Sequence, residues 1–253
     1  MVVSILNAVP PVVARRFRSD GRFASLLRPI ANLVLSKDPT WITVRAGDGS
    51  GLRLVIYPRI EKYYWSGLHE TRIQEAVTQH LARGSVMWDV GAHIGFLSAI
   101  AARAVGPNGH VVAFEPLPEN VVRLRQTVEA NELTNVTIRE VAVSSSVGRS
   151  DFYLHSSSSQ GGLMRTDSAP RIDVPTTTLD AELRLWRPPA LVKIDVEGSE
   201  GDVIAGAQRL FTDVRPLLII ELLTEEAFAR AQALLPHYTL RRIDRSNFIG
   251  DPL

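Results

Sequence analysis

The sequence contains no cysteine. That excludes disulfides, cysteine-bearing zinc sites and every mechanism with a thiol nucleophile. It also fits a reducing compartment, so the expected location is cytoplasmic. No apolar run approaches the roughly 20 residues of a membrane-spanning helix. A secretory signal is not expected either, because in "MVVSILNAVPPVVARRF" the basic residues follow the apolar run instead of preceding it. Surplus charge is missing too: 28 basic against 27 acidic residues leave a formal net charge of +1, which gives no bulk case for a nucleic-acid partner. The six histidines show no metal-ligand spacing.

What is present is enough chain, 253 residues, to bury a sizeable core. Between Arg15 and Lys37 the charge is mostly basic, and Phe17, Phe23, Leu26, Leu27, Ile30, Leu33 and Val34 recur at near-helical spacing. The first expectation is an N-terminal helix packed on the domain. The sharper one is a basic amphipathic helix making peripheral contact with an anionic membrane, at its inner face. "WITVRAGDGSGLRLVIYP" predicts a β-hairpin turning around Gly47–Gly51. Helical spacing follows over Ser66–Leu81.

From there strands and helices alternate: strands at Val86–Val90, His110–Glu115, Val136–Val143, Leu191–Val196, Leu217–Leu222 and Tyr238–Ile243, and helices at Phe96–Val105, Pro118–Asn131, Ser199–Phe211 and Glu225–Leu235. Apolar strands alternating with helices predict an α/β fold whose parallel sheet is covered on both faces. The expected division is 1–65, an N-terminal helix and hairpin extension, and 66–253, the domain of alternating strands and helices. Ser156–Pro170, polar and glycine-containing, is expected to be a loop shaping the substrate pocket.

The stretch "VMWDVGAHIGFLSAI" organises the chain. In an open α/β sheet a ligand lies at the carboxyl ends of the strands, so the turn after Asp89 should floor the site. A dinucleotide fingerprint needs glycine at the first, third and sixth positions. Counted from Gly91, the third is His93 and the sixth Phe96. Side chains there block a pyrophosphate, and Asp89 would repel one. The turn suits a ligand with a positive centre and a small carboxylate, as S-adenosylmethionine has. Glu115 closes the next strand, where a carboxylate accepts ribose hydroxyls.

"WDVGAHIGFLS", "AFEPLPENVVRLRQTVEANEL", "TTTLD" and "VKIDVEGSEGDVIAGA" resemble the FkbM family of S-adenosylmethionine-dependent methyltransferases, over roughly Gly67 to Leu222. The resemblance implies a class I methyltransferase, Rossmann-like fold. Its seven-stranded sheet would be mostly parallel, with one antiparallel strand near the edge and helices on both faces. It also implies methylation of hydroxyl groups on sugars, glycolipids or polyketide-type metabolites. By position it assigns Asp89, Gly91, Ala92, Gly95 and Glu115 to the cofactor, Val141 and Ala142 to the adenine border, and Glu70 to the amino-acid end. His93 and Pro116, in the same two turns, and Asp195 complete the cofactor set. At the C-terminus "RSNFIGDPL" leaves little room for a regular final strand, so the last sheet edge is expected to depart from the family.

Methyl transfer to a hydroxyl needs alignment and a base. Asp195 ends the fourth strand, and Glu197, two residues on, would point to the same side if the backbone stays extended. One of the two is expected to be the base and the other an orienter. Mg²⁺ held by Asp195 and Glu221 is a less favoured option, and the site is expected to hold no metal. In "DVEGSEGD" Ser199 is expected to cap the next helix and Asp202 to complete a capping box. His69 is expected at the surface, His93 in the loop by the cofactor, and Lys193, mid-strand, needs a partner. A nucleotide-dependent reductase and a non-catalytic S-adenosylmethionine-binding module are the alternatives. The expected partner is a small-molecule or glycosylated-lipid acceptor, not nucleic acid.

Overall fold

The structure, a computed structural model, describes residues 35–154, 161–162 and 170–253. The N-terminal amphipathic segment before residue 35 and nearly all of the Ser156–Pro170 loop lie outside the described residues.

Strands β1 (Thr40–Thr43) and β2 (Arg53–Ile56) form the expected hairpin, paired antiparallel with Thr40 opposite Ile56. Helices α1 (Lys62–Ser66) and α2 (Thr71–His80) lead into the alternating region: β3 (Val86–Val90), α3 (Phe96–Val105), β4 (His110–Phe114), α4 (Pro118–Ala130) and β5 (Val136–Arg139). There follow β6 (Ala142–Val143), β7 (Gly148–Leu154), β8 (Gly161–Gly162), β9 (Arg171–Thr177), α5 (Leu179–Glu182), β10 (Leu191–Ile194) and α6 (Glu200–Ala205). After a π-helical turn at Leu210–Val214 come β11 (Leu217–Glu221), α7 (Glu225–Leu234), β12 (Tyr238–Arg242) and β13 (Asn247–Pro252).

The main sheet has seven strands in the order β12-β13-β11-β10-β3-β4-β5. β11, β10, β3, β4 and β5 run parallel, and β13 runs antiparallel to both β11 and β12. All five residues of β3 are buried, as a central strand covered on both faces requires. The expected departure at the C-terminus does not occur: Asn247–Pro252 is a six-residue strand threaded between β11 and β12. Gly250 permits it, because a Cβ there would stand 3.0 Å from Leu240 and 3.2 Å from Leu218.

Two other expectations are corrected. The single strand over Val136–Val143 is divided between sheets: Val141 N donates to Arg139 O at 2.9 Å, a tight bend. β6 then pairs with β9 in a separate four-stranded sheet. The helix over Ser199–Phe211 stops at Gly206, where a Cβ would come within 2.2 Å of the Ser144 carbonyl oxygen.

The hairpin shares a core with the main domain. Ile42, Val44, Leu52, Leu54 and Ile56 pack in one apolar cluster with Ile94, Phe96 and Ile100 around α3. Among the described residues no helix is long and apolar enough to cross a membrane.

Candidate active site

The chain runs β3 to β4 to β5 in one direction and then returns to lay β10 against the other side of β3. At that reversal the carboxyl ends of the strands splay apart, and a cavity of about 210 Å³ opens there. Asp89, Gly91, Ala92 and His93 line it from the β3 turn, and Glu115 and Pro116 from the end of β4. Val141 and Ala142 come from the bend after β5, Asp195 and Glu197 from the end of β10, and Glu70 from the start of α2. Of the cofactor set only Gly95 stands outside the lining. Its φ of +80° starts α3, and a Cβ would meet Leu124 Cδ1 at 2.2 Å, so helix packing accounts for that glycine. Gly91 differs: its φ is also +80°, but a Cβ would lie 1.8 Å from the backbone oxygen of Asp195. The bare α-carbon lets the β3 turn and the end of β10 touch.

Asp89 is fully buried. Its Oδ2 accepts from Ser98 Oγ at 2.5 Å, and its Oδ1 has no hydrogen-bond partner. Lys193, its neighbour across the β10–β3 register, supplies the countercharge: Nζ lies 3.5 Å from Asp89 Oδ1, 3.3 Å from Asp195 Oδ2, and donates to Gly91 O at 2.9 Å. Burial disfavours the ammonium, but Asp195 and Asp89 outweigh it and hold its pKa above the ordinary lysine value. Lys193, without a place in the sequence reading, ties three pieces of the cavity wall together. A mid-strand lysine in a buried sheet was the signal, and the register supplies its partners.

Glu115 is also buried. Burial raises its pKa, while hydrogen bonds from the protein work against the rise. Oε1 accepts from Leu117 N at 3.0 Å and from Asn120 Nδ2 at 3.3 Å, and Oε2 accepts from His93 N at 2.8 Å. A carboxylate has about four acceptor positions, so one remains, on Oε2.

At the β10 and β11 tips the backbone does not stay extended. β10 ends at Ile194 and Glu197 has a φ of +54°, which removes the basis for pointing it alongside Asp195, although both line the cavity. The neighbour of Asp195 is Glu221, one step beyond the paired residues Ile194 and Ile220. Ser246 Oγ donates to Glu221 Oε1 at 2.9 Å. Burial, then the charge of Asp195, pushes Glu221 up to about 8, so it holds its proton at neutral pH.

The capping box is not formed either. Ser199 Oγ is buried without a partner, and Asp202 pairs with Arg230 at 2.5 Å. Glu200 instead accepts from Gly198 N at 2.9 Å and Val196 N at 3.3 Å. Among the described residues no group of three or more His, Asp or Glu side chains gathers as metal ligands.

The remaining wall is aromatic. Tyr63 stacks on His69 with ring centroids 4.4 Å apart, and Tyr64 OH meets His93 Nδ1 at 3.0 Å. His69 lines the cavity instead of facing solvent. Burial, aided by Arg123, lowers His93 to about 3, so its ring is neutral. Its φ of +52° is held by anchors on both ring and backbone. Tyr63 and Tyr64 lie more than twenty residues before the glycine turn, with no spacing signal linking them to it.

Sheet order, one reversed strand beside the edge, and a cavity at the switch point define a class I methyltransferase fold. The chain belongs to the methyltransferase FkbM domain family, whose model matches residues 89–241. Among solved structures it is similar to the FkbM methyltransferase of Methylobacillus flagellatus KT, with 19% identity, 73% of this chain and 51% of that one covered, and a TM-score of 0.46. Aeropyrum pernix fibrillarin with natively bound S-adenosyl-L-methionine is similar at 12% identity, covering 70% of this chain and 73% of that one, TM-score 0.47. Among curated proteins, an arsenite methyltransferase of Halobacterium salinarum is 37% identical over 59 residues, 23% of this chain and 15% of that protein. A protein-L-isoaspartate O-methyltransferase of Ignicoccus hospitalis is 40% identical over 58 residues, 23% of this chain and 28% of that protein. The chain thus spans less than a third of either curated relative's length.

Proposed function

We propose that the protein transfers a methyl group from S-adenosylmethionine to a hydroxyl, on a sugar, a glycolipid or a polyketide-type metabolite. The observation that carries the donor assignment is an under-satisfied acceptor at the cavity wall. Asp89 Oδ1 is buried and, among the described residues, makes no hydrogen bond, with only the Lys193 ammonium 3.5 Å away. Buried acceptors of this kind are filled in the working molecule. The other residues fit the same group. Glu115 keeps one acceptor position for a ribose hydroxyl, Val141 and Ala142 offer an apolar border for a base, and Glu70 an acid for an ammonium.

The donor, when bound, supplies a methyl carbon on a sulfonium leaving group. The chain's own work is to hold the acceptor and take its proton. Asp195 suits that task. Lys193 stands 3.3 Å from one of its oxygens, and the neighbouring Glu221 is pushed up by burial and by the charge of Asp195. A positioned base contributes about 10²–10⁴-fold. The acidic wall of Glu70, Asp195 and Glu197 suits hydroxyl donors on the acceptor and opposes phosphate. The test is incubation of labelled S-adenosylmethionine with candidate hydroxyl acceptors and cell extracts, with the labelled product identified by mass spectrometry. Label on oxygen supports the reading; label on nitrogen, carbon or nucleic acid overturns it.

A further inference from the structure

We propose that Glu61 and Arg123, neither of which reaches the cavity, are positioning residues for the donor's ribose: through Asn120 they hold the Glu115 carboxylate so that one acceptor position stays open to a hydroxyl. The inference rests on the donor reading above.

Glu61 is wholly buried and Arg123 nearly so. Arg123 Nη1 donates to both oxygens of Glu61, at 2.9 and 2.8 Å, and its Nη2 donates to Asn120 Oδ1 at 2.7 Å. Asn120 Nδ2 in turn donates to Glu115 Oε1. From the other side His93 Nε2 stands 3.5 Å from Glu61 Oε1, and His93 N donates to Glu115 Oε2. Hydrogen bonds run in a chain, Glu61–Arg123–Asn120–Glu115–His93, and the neutral His93 ring returns to within 3.5 Å of Glu61 without a hydrogen bond.

The chemistry of these hydrogen bonds allows one sense only. Arginine only donates, so Asn120 must turn its carbonyl oxygen to Arg123. Its amide nitrogen then faces Glu115, which as a carboxylate only accepts. Arg123 opposes the flipped amide, which would set the Asn120 oxygen against Glu115. A buried ion pair is itself a weak source of stability, and holding a neighbour's geometry is what this one adds. Glu61 lies outside the span 89–241 matched by the family model, so the stretch between hairpin and first helix is tied into the donor site.

The test compares S-adenosylhomocysteine with its 2′,3′-dideoxy analogue by calorimetry on the full chain. The variants are Arg123→Lys, which keeps a cation on Glu61 but not the fork to Asn120, and Asn120→Ala, which decides the matter should the first not fold. Both variants should bind S-adenosylhomocysteine about 3- to 10-fold more weakly, and the dideoxy analogue as well as the wild type does. Equal losses on both ligands, or no loss on either, overturns the positioning role and leaves the donor reading intact. A wild type that binds both ligands equally removes the ribose contact and the inference with it. A wild type that binds neither removes the donor reading as well.

Discussion

Two pairs of acids close neighbouring strands on either side of the switch point, and they are built differently. Asp89 and Glu115, at the tips of β3 and β4, are buried and held by fixed donors: Ser98 and Lys193 for one, His93, Leu117 and Asn120 for the other. Asp195 and Glu221, past β10 and at the tip of β11, are less enclosed, and burial with the charge of Asp195 pushes Glu221 up to about 8. A carboxylate locked by several donors can place a ligand but has little freedom to exchange a proton. A pair competing for one proton can do the reverse. Placement on one side and proton traffic on the other is the division the geometry favours.

The division breaks first at Asp195. Asp195→Asn should leave S-adenosylhomocysteine affinity within a few-fold by calorimetry and lower turnover about 10²–10⁴-fold; persistence of turnover places the base elsewhere. Lys193→Met spans both sides. It leaves Asp89 and Asp195 without their shared cation and should cost about 3–5 kcal/mol in denaturant unfolding, with ligand binding lost as well. The two turn glycines sharpen the contrast. Gly91→Ala drives a Cβ into the Asp195 carbonyl, whereas Gly95→Ala meets the movable end of Leu124. Both carry the left-handed penalty of about 1–2 kcal/mol, and melting curves should show Gly91→Ala as the worse.

A further effect is a slope. Glu221 is raised from 4.5 to about 8 in the fold, so between those values the folded chain binds more protons than the unfolded one. Its contribution is present below pH 4.5 and is lost as pH rises through 8. Glu221→Gln should therefore gain melting temperature on the wild type as pH climbs from 5 to 9. A constant gap between the two curves would show that Glu221 titrates normally.

Much of this was legible from residue order. Val86–Val90 and Phe96–Val105 stand where the pattern placed them, because a fully buried strand and a helix opened by glycine leave strong local marks. The acids at strand ends were legible for the same reason. The rest depends on registers and angles that no window of sequence contains. Lys193 is explained only when β10 lies beside β3. Glu197 turns away from an extended path at a single φ. Tyr63 and Tyr64 reach the site, with Glu61 behind it, from a hairpin exit whose docking is set by core packing with α3 and by the Arg123 ion pair. The divided strand at Val136–Val143 looked continuous because both halves are apolar and β-branched, while the bend rests on one backbone hydrogen bond.

The inserted strand β13 has a consequence for how the molecule is assembled. Among the described residues β12 has no neighbour in the sheet except β13, so during synthesis it must wait, unpaired by them, until residues 247–252 have left the ribosome and filled the gap beside β11. A chain cut just before Asn247 would lose two strands, not one, and would expose the bare flank of β11 to any other strand nearby.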